Sequence, residues 1–133
     1  MIDLRASVGP HRGLMPSLST YLQSVEQATG MTMSIDLQDS GFRLDGELEE
    51  TLFRVVHECV GWLRHAGCDA LELHANVDPP QATVTLSAAS PVWSQPAHAR
   101  WLEDQAMQHG LYLDLDDHAL RVGVTTQRQG AAA

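Results

Sequence analysis

The stretch TLFRVVHECVGWLRHAG, residues 51–67, decides how the rest of this sequence is interpreted. In it and just before it, apolar side chains recur every three or four residues, which is the period of one helix face. The stripe consists of Leu48, Leu52, Val55, Val56, Cys59, Val60 and Leu63. It predicts an amphipathic helix from about Glu47 to Arg64, followed by a stop at Gly67. The acidic residues of the first turn suit the positive end of the helix dipole.

Two more helices and five strands are predicted by similar patterns elsewhere. Helical spacing predicts one helix before Gly30 and another over residues 100–110, with an irregular segment at 90–99. Alternation of apolar and polar residues predicts strands at 31–37, 70–77, 82–88 and in two arms of a hairpin within 111–126. Every strand has one apolar face and every helix one apolar stripe. We therefore expect an α/β (α+β) two-layer sandwich, with three helices on one face of a mixed five-stranded sheet.

Composition narrows the class of protein. The chain has 133 residues and a net charge of -9, and its eight Lys or Arg residues are all arginine. The lack of lysine removes the usual point-charge ligand of phosphate-binding loops, and the acidic balance disfavours nucleic acid as a partner. No apolar stretch is long enough to span a membrane, and two cysteines are too few for a disulfide framework. We expect a cytoplasmic protein of one domain, without membrane contact.

Four stretches carry a resemblance to a known family. They are IDLRAS (2–7), GLMPSLSTYLQSVEQATGMTMSIDL (13–37), ELEETLFRVVHECVGWLRHAG (47–67) and HGLYLDLDDHALRVGVTT (109–126). In this order they resemble the ATP-binding catalytic domain of sensor histidine kinases, most of all the nitrate-sensor type. That domain has the GHKL or Bergerat ATPase fold, shared with gyrase, heat-shock chaperone and mismatch-repair ATPases. The resemblance implies a leader that ends a linker helix at residues 1–13, an ATPase-like domain at 14–127 and a flexible tail at 128–133.

The second helix of that family carries its metal-binding motif. A Glu orients the attacking group, and an Asn four residues later holds the Mg²⁺ that bridges the phosphates. The resemblance places Glu58 at the Glu and His65 at a histidine further along, but Trp62 stands four residues after Glu58. The segment between Glu58 and RHAG is also one residue shorter than the family pattern. Since Mg²⁺ takes oxygen ligands and an indole has none, the resemblance implies that Glu58, Trp62 and His65 are vestiges of a nucleotide site.

Two other family motifs have no counterpart here. One is an Asp followed by spaced glycines at the end of the third strand, where the Asp accepts a hydrogen bond from adenine. Ser87 stands in that region, within TLSAASPVW, which has neither a carboxylate nor a glycine. The other motif is a glycine-bearing lid over the triphosphate, and SPVWSQPAHA is short and has no glycine. We expect the lid to be shortened or lost and no cofactor to bind. ATP and Mg²⁺ are expected only if the chain is, alternatively, a functional catalytic domain.

The histidines and cysteines around the second helix are the candidates for a metal site. His57, His65 and Cys68 have the ligand types that zinc prefers. His57 and His65 are eight residues apart on one helix, however, and the spacing matches no closed zinc site. Cys59 belongs to the apolar stripe and is better explained as part of the core. No metal site is predicted.

The three tryptophans surround the region where the nucleotide cleft of an active domain would open. Trp62 lies in the second helix, and Trp93 and Trp101 flank the missing lid. Ordinary core packing would explain them. The sharper hypothesis is that they fill or cover the old cleft, since each ring can bury on the order of 150 to 250 Å². One of them could instead belong to an exposed patch that contacts a partner.

Together these features predict a degenerate domain, a pseudokinase, that acts as a non-catalytic regulatory or protein-interaction module in two-component signal transduction. Its partner would be a kinase, a response regulator or a second copy of the chain. Two alternatives stay open. One is a functional ATP-binding catalytic domain, and hence part of a histidine protein kinase. The other is a module that binds a different small ligand in the old cleft, for which a polar-lined cavity of roughly 300 Å³ or more would be the sign.

Overall fold

The computed structural model describes residues 13–39, 44, 46–78, 81–89 and 91–125. In chain order the helices and strands are α1 (Leu14–Thr29), β1 (Thr32–Asp39), α2 (Gly46–His65), β2 (Ala70–Asp78), β3 (Gln81–Ser87), α3 (Pro96–His109), β4 (Tyr112–Leu115) and β5 (Ala119–Thr125). A single 3₁₀ turn, Val92–Ser94, precedes α3. Apart from Gly13, the predicted leader and the predicted tail lie outside the described residues.

The sheet confirms the predicted mixed architecture. Its strand order is β1-β2-β3-β5-β4. β1 runs parallel to β2, with Thr32 opposite Ala70, while the other neighbours are antiparallel. A parallel pair needs a crossover connection, and α2 supplies it. The end of α2 therefore lies beside the start of β2, and the end of β3 lies beside that same point.

All three helices cover one face of the sheet, as the alternation predicted. The inward residues of the central strands are buried: Leu71, Leu73, Ala75, Val77, Ala82, Val84, Leu86, Leu120, Val122 and Val124. The opposite face of β2 is exposed and polar, with Glu72, His74 and Asn76. The result is a two-layer sandwich with its core between the sheet and the helices.

The inward side chains of β1 are less buried than the alternation predicts. Met33, Ile35 and Leu37 are only half-buried, although they pack against the core. β1 lies at the edge of the five-stranded sheet, so among the described strands it has a neighbour on one side only. Alternation reports which face a residue occupies, but it does not report how near the strand lies to the edge.

The helices end where the glycines indicate. Gly30 after α1 and Gly110 after α3 both adopt the left-handed conformation, with φ of 77° and 69°. The stripe predicted for α2 is confirmed at six of its seven positions: Leu52, Val55, Val56, Cys59, Val60 and Leu63 are buried, whereas Leu48 is half-buried. Within the described ranges, no helix combines the length and apolar character needed to cross a membrane.

The prediction of an irregular segment over residues 90–99 was wrong in its second half. α3 begins at Pro96, four residues earlier than the apolar spacing suggested. Proline suits the first position of a helix because its missing N–H would have no partner there and its φ is already helical. The early start brings His98 onto the helix, where its ring stacks on Trp62.

Candidate functional site

The side chain of Trp62 lies against α3. Its ring stacks on His98, with the ring centroids 4.0 Å apart and the planes 8° from parallel. The edge of Trp101 meets it in a T-shaped contact, with centroids 5.7 Å apart and an interplanar angle of 87°. We call Trp62, His98 and Trp101 the aromatic cluster. It joins α2 to α3 at the position where the resemblance implies a metal-binding Asn.

A hydrogen bond holds the imidazole of His98 in this orientation. Its Nδ1 lies 2.7 Å from the carbonyl oxygen of Val92 in the 3₁₀ turn. Since a carbonyl oxygen only accepts, Nδ1 carries the proton and donates it. The bond closes the first turn of α3 onto the segment before it, so the ring is presented flat to Trp62.

Trp93 anchors the same segment on its other side. The indole is fully buried, and its Nε1–H donates to the carbonyl oxygen of Asp116 at 3.0 Å. The carboxylate of Asp116 accepts hydrogen bonds from the backbone N–H groups of His118 and Ala119, at 2.9 and 2.8 Å. The 3₁₀ turn is thereby fixed to the tight connection between β4 and β5. This packing holds α3 close to α2.

The structure brings together two of the three tryptophans that were predicted to fill or cover the old cleft. Trp62 and Trp101 touch each other and are both half-buried, whereas Trp93 lies in the core beneath the 3₁₀ turn. Sequence reasoning missed His98, which contributes the closest ring contact. His98 and Trp101 are three residues apart and share a helix face, but only a helix that begins at Pro96 makes that spacing meaningful.

Glu58 is half-buried on α2, four residues before Trp62. Its negative charge contributes to the pKa shifts of two nearby side chains, Tyr21 and Cys59. Burial raises the pKa of the Tyr21 hydroxyl to about 12, with Arg64 opposing the shift and Glu58 adding to it. Burial, aided by Glu58, also raises the pKa of the Cys59 thiol well above its usual range. Cys59 is therefore a protonated core residue at neutral pH.

The remaining predicted nucleotide positions are not gathered in one cavity. His65 is exposed at the end of α2 and lines a depression of about 640 Å³ together with Gly61, Arg64 and Cys68. Ser87, at the end of β3, lines a different depression of about 360 Å³. That second depression opens beside Glu72, on the polar side of the sheet.

The connection between β3 and α3 confirms a shortened lid. Only residues 88–95 lie between Ser87 and Pro96, and none of them is glycine. The backbone N–H of Ala88 donates to the carbonyl oxygen of His118 at 3.0 Å, and the 3₁₀ turn follows soon after.

The three weak candidates for metal ligands lie in different surroundings. His57 stacks on Tyr21 of α1, with ring centroids 5.2 Å apart. The thiol of Cys68 donates to the carbonyl oxygen of Ala70 at 3.3 Å. His65 lines the depression at the end of α2. No three His, Cys, Asp or Glu side chains in the described part of the chain are placed to hold a metal ion.

The contact between Trp62 and His98 should be measurable as a coupling energy. We expect a double-mutant cycle with Trp62→Ala and His98→Ala, followed by urea unfolding, to give about 0.5 to 1.5 kcal/mol of interaction, typical of paired rings. The matched control pairs Trp62→Ala with Glu103→Ala, an exposed residue of the same helix. That pair should be additive to within about 0.5 kcal/mol. Additivity of the first pair would show that the stack contributes nothing.

Comparison with solved structures identifies proteins with a similar fold. No protein-family model matches the sequence. The fold is similar to that of a blue-light activated histidine kinase from Erythrobacter litoralis, with a TM-score of 0.66 and 13% identity over 88% of this chain. This chain spans 46% of the length of that kinase.

Two further solved structures agree. The catalytic domain of the histidine kinase ThkA matches with a TM-score of 0.57 and 7% identity, covering 87% of this chain and 93% of that domain. The histidine kinase domain of the E. coli osmosensor EnvZ matches with a TM-score of 0.56 and 11% identity, covering 95% and 97%. The chain therefore has the fold of histidine kinase ATPase domains.

Proposed function

We propose that this chain is a degenerate histidine kinase-type ATPase domain that acts as a non-catalytic regulatory and protein-interaction module in two-component signalling. One observation carries the proposal. The residue four positions after Glu58 is Trp62, and its ring is packed against His98 and Trp101 of α3. The position that would bind a metal is thus part of a contact between two helices.

The chemistry of that position argues against ATP. Mg²⁺ requires oxygen ligands in near-octahedral geometry, and an indole offers one N–H donor and no oxygen. Glu58 remains, but a single carboxylate without its partner does not form the site. The chain also has no lysine to contact phosphates.

The space that a nucleotide would need is the second argument. A purine nucleotide lying between α2 and the lid would have to displace the ring of His98 from Trp62. It would also break the hydrogen bond between His98 and Val92. At the adenine end, Ser87 and the residues after it offer no carboxylate to accept a hydrogen bond. Nucleotide binding would therefore break existing contacts and form few new ones.

The fold is retained although these positions have changed, which supports a role in protein interaction. We place the module in the cytoplasm, in a pathway of the nitrate-sensor type, where its partner is a kinase, a response regulator or a second copy of the chain. α3 offers a contact surface: Met107 is 82% exposed, and Trp101 is half-exposed on the same helix. Apolar side chains in such positions are enriched in protein interfaces.

Neither alternative gains an observation in its favour. A functional catalytic domain would need an oxygen ligand at position 62 and an acceptor for adenine near Ser87. A module that reuses the old cleft would need an open polar cavity between α2 and α3. Each of the two depressions described above includes one vestigial position, His65 or Ser87, but neither is lined by a residue of the aromatic cluster. The aromatic cluster occupies the place where such a cavity would open.

A nucleotide titration tests the proposal. The protein is titrated with a fluorescent ATP analogue in the presence of Mg²⁺, and its melting temperature is followed alongside, with a competent histidine kinase catalytic domain as the positive control. We expect neither saturable fluorescence nor stabilisation of this chain. Micromolar binding, with the rise in melting temperature that mass action requires, would refute the proposal.

A further inference from the structure

We propose that the depression at the end of α2, on the side of that helix away from the aromatic cluster, binds a small zwitterion of the α-amino acid type. Its volume of about 640 Å³ lies within the usual range of small-molecule sites. It is lined by the end of α1, the end of α2 and the segment leading into β2, namely Thr29–Met31, Gly61, Arg64, His65 and Gly67–Asp69. None of these residues belongs to the aromatic cluster.

Three glycines leave parts of the wall of the depression without side chains. Gly30, Gly61 and Gly67 contribute to its lining, and a Cβ atom added at any of them would meet nothing within 4 Å. Gly30 and Gly67 have φ of 77° and 80°, so the turns after α1 and α2 require glycine. A ligand can therefore approach the main chain closely at these three positions.

Two helix ends meet at this place, and both are C-terminal. The C-terminal end of a helix carries the negative end of the helix dipole. In α2 the carbonyl oxygens of Trp62, Leu63 and Arg64 already accept backbone hydrogen bonds from the residues that follow the helix, so the contribution here is that of the dipole. α1 ends at Thr29 and α2 at His65, and both residues line the depression. The exposed carboxylate of Asp69 lies on the same lining. These groups favour a positively charged group such as an ammonium.

Arg64 supplies the opposite charge. The guanidinium presents several donors in one plane, which matches the two oxygens of a carboxylate. Among the residues that the structure describes, no ion pair is found for Arg64 or Asp69, although the charge of Arg64 acts on the Tyr21 hydroxyl. The backbone of Asp69 is held in place, since its carbonyl oxygen accepts from the N–H of Thr32 at 2.8 Å.

These charges select the class of ligand. A simple anion such as phosphate would face Asp69 and two helix C-termini, and a simple cation would face Arg64. A molecule that carries both a carboxylate and an ammonium offers a partner of opposite charge to each of these groups. The inference goes beyond the proposed function and does not depend on it.

Calorimetric titration with the proteinogenic L-amino acids, one at a time, tests this site. We expect at least one to bind saturably with Kd of about 1 mM or below. Its N-acetyl derivative, which lacks the ammonium, and its amide, which lacks the carboxylate, should each bind at least about tenfold more weakly, a loss of about 1.4 kcal/mol. If none of the amino acids binds, or if both derivatives bind as well as the parent, the proposal is overturned.

Three variants locate the binding. Arg64→Gln and Asp69→Asn should each weaken it at least about tenfold, and both residues are exposed, so the fold should be retained. Gly61→Leu places a side chain in the depression; it should abolish binding while raising the melting temperature, because glycine weakens a helix. Arg54→Gln, an exposed site elsewhere on α2, should bind like the wild type. Equal affinity in all four variants would overturn the proposal.

Discussion

Replacing Trp93 by alanine is expected to lower the free energy of unfolding by about 3 to 5 kcal/mol, the largest effect of any single substitution considered. The indole has no exposed surface, and it packs beneath the 3₁₀ turn in the core. Removing it leaves a cavity and deprives the carbonyl oxygen of Asp116 of its donor. Both losses fall on the contact between the 3₁₀ turn and the β4–β5 hairpin. Urea unfolding followed by circular dichroism measures the change.

Two companion variants separate packing from hydrogen bonding. Trp93→Phe keeps most of the packing and loses the donor, so it should cost less than Trp93→Ala. Trp101→Ala removes a ring of the same size that is already half-exposed, and its cost should also be smaller. An effect of Trp93→Ala below that of Trp101→Ala would contradict the position of Trp93 in the core.

Replacing Leu63 by alanine should cost about 2 to 5 kcal/mol. Leu63 has no exposed surface and lies on the face of α2 that packs against the sheet. It is adjacent in sequence to Trp62, which faces α3 instead. The two substitutions therefore distinguish the face of α2 that supports the core from the face that meets α3. Urea unfolding is again the measurement.

The control for Leu63→Ala is Arg54→Ala, at an exposed position of the same helix. It should change the free energy of unfolding by no more than about 0.5 kcal/mol. Leu63→Ala should leave any ligand affinity of the folded protein unchanged, because the side chain reaches neither depression. If Leu63→Ala destabilised the protein no more than Arg54→Ala does, the assignment of Leu63 to the buried face of α2 would be contradicted.

Much of this fold could be predicted because its elements are strongly amphipathic. α2 places Leu52, Val56, Cys59 and Leu63 on one face, and all of them are buried. The strands alternate without interruption, since a sheet with one covered face needs apolar residues at every second position. Such patterns depend on the local period alone, so they can be recognised without knowing which helices and strands pack together.

The limits of α3 were harder to predict because its apolar stripe is thin. Leu102 is its one residue among the fully buried side chains. The helix is held instead by its contact with Trp62 and by the hydrogen bond from His98 to Val92. A half-buried histidine gives no periodic signal, so neither the start of the helix at Pro96 nor the stack could be inferred from apolar spacing.

The departure at Trp62 was visible in the sequence, but its surroundings were not. A residue type shows that an oxygen ligand is missing; it does not show whether the ring closes a space or faces solvent. That depends on how close α3 lies to α2, which the short connection from Ser87 to Pro96 and the anchoring of Trp93 determine together. The depression beside Arg64 and Asp69 was likewise hidden, because three separate segments form it.

The most direct test of the proposed closure of the cleft follows the three tryptophan side chains by NMR. In ¹H–¹⁵N spectra the three indole N–H groups give three separate signals, which Trp→Phe variants can assign. We expect the signals of Trp62 and Trp101 to stay in place when Mg²⁺ and ATP are added to millimolar concentration. A saturable, dose-dependent shift of these two signals would show that the nucleotide enters between α2 and α3, and it would contradict the account.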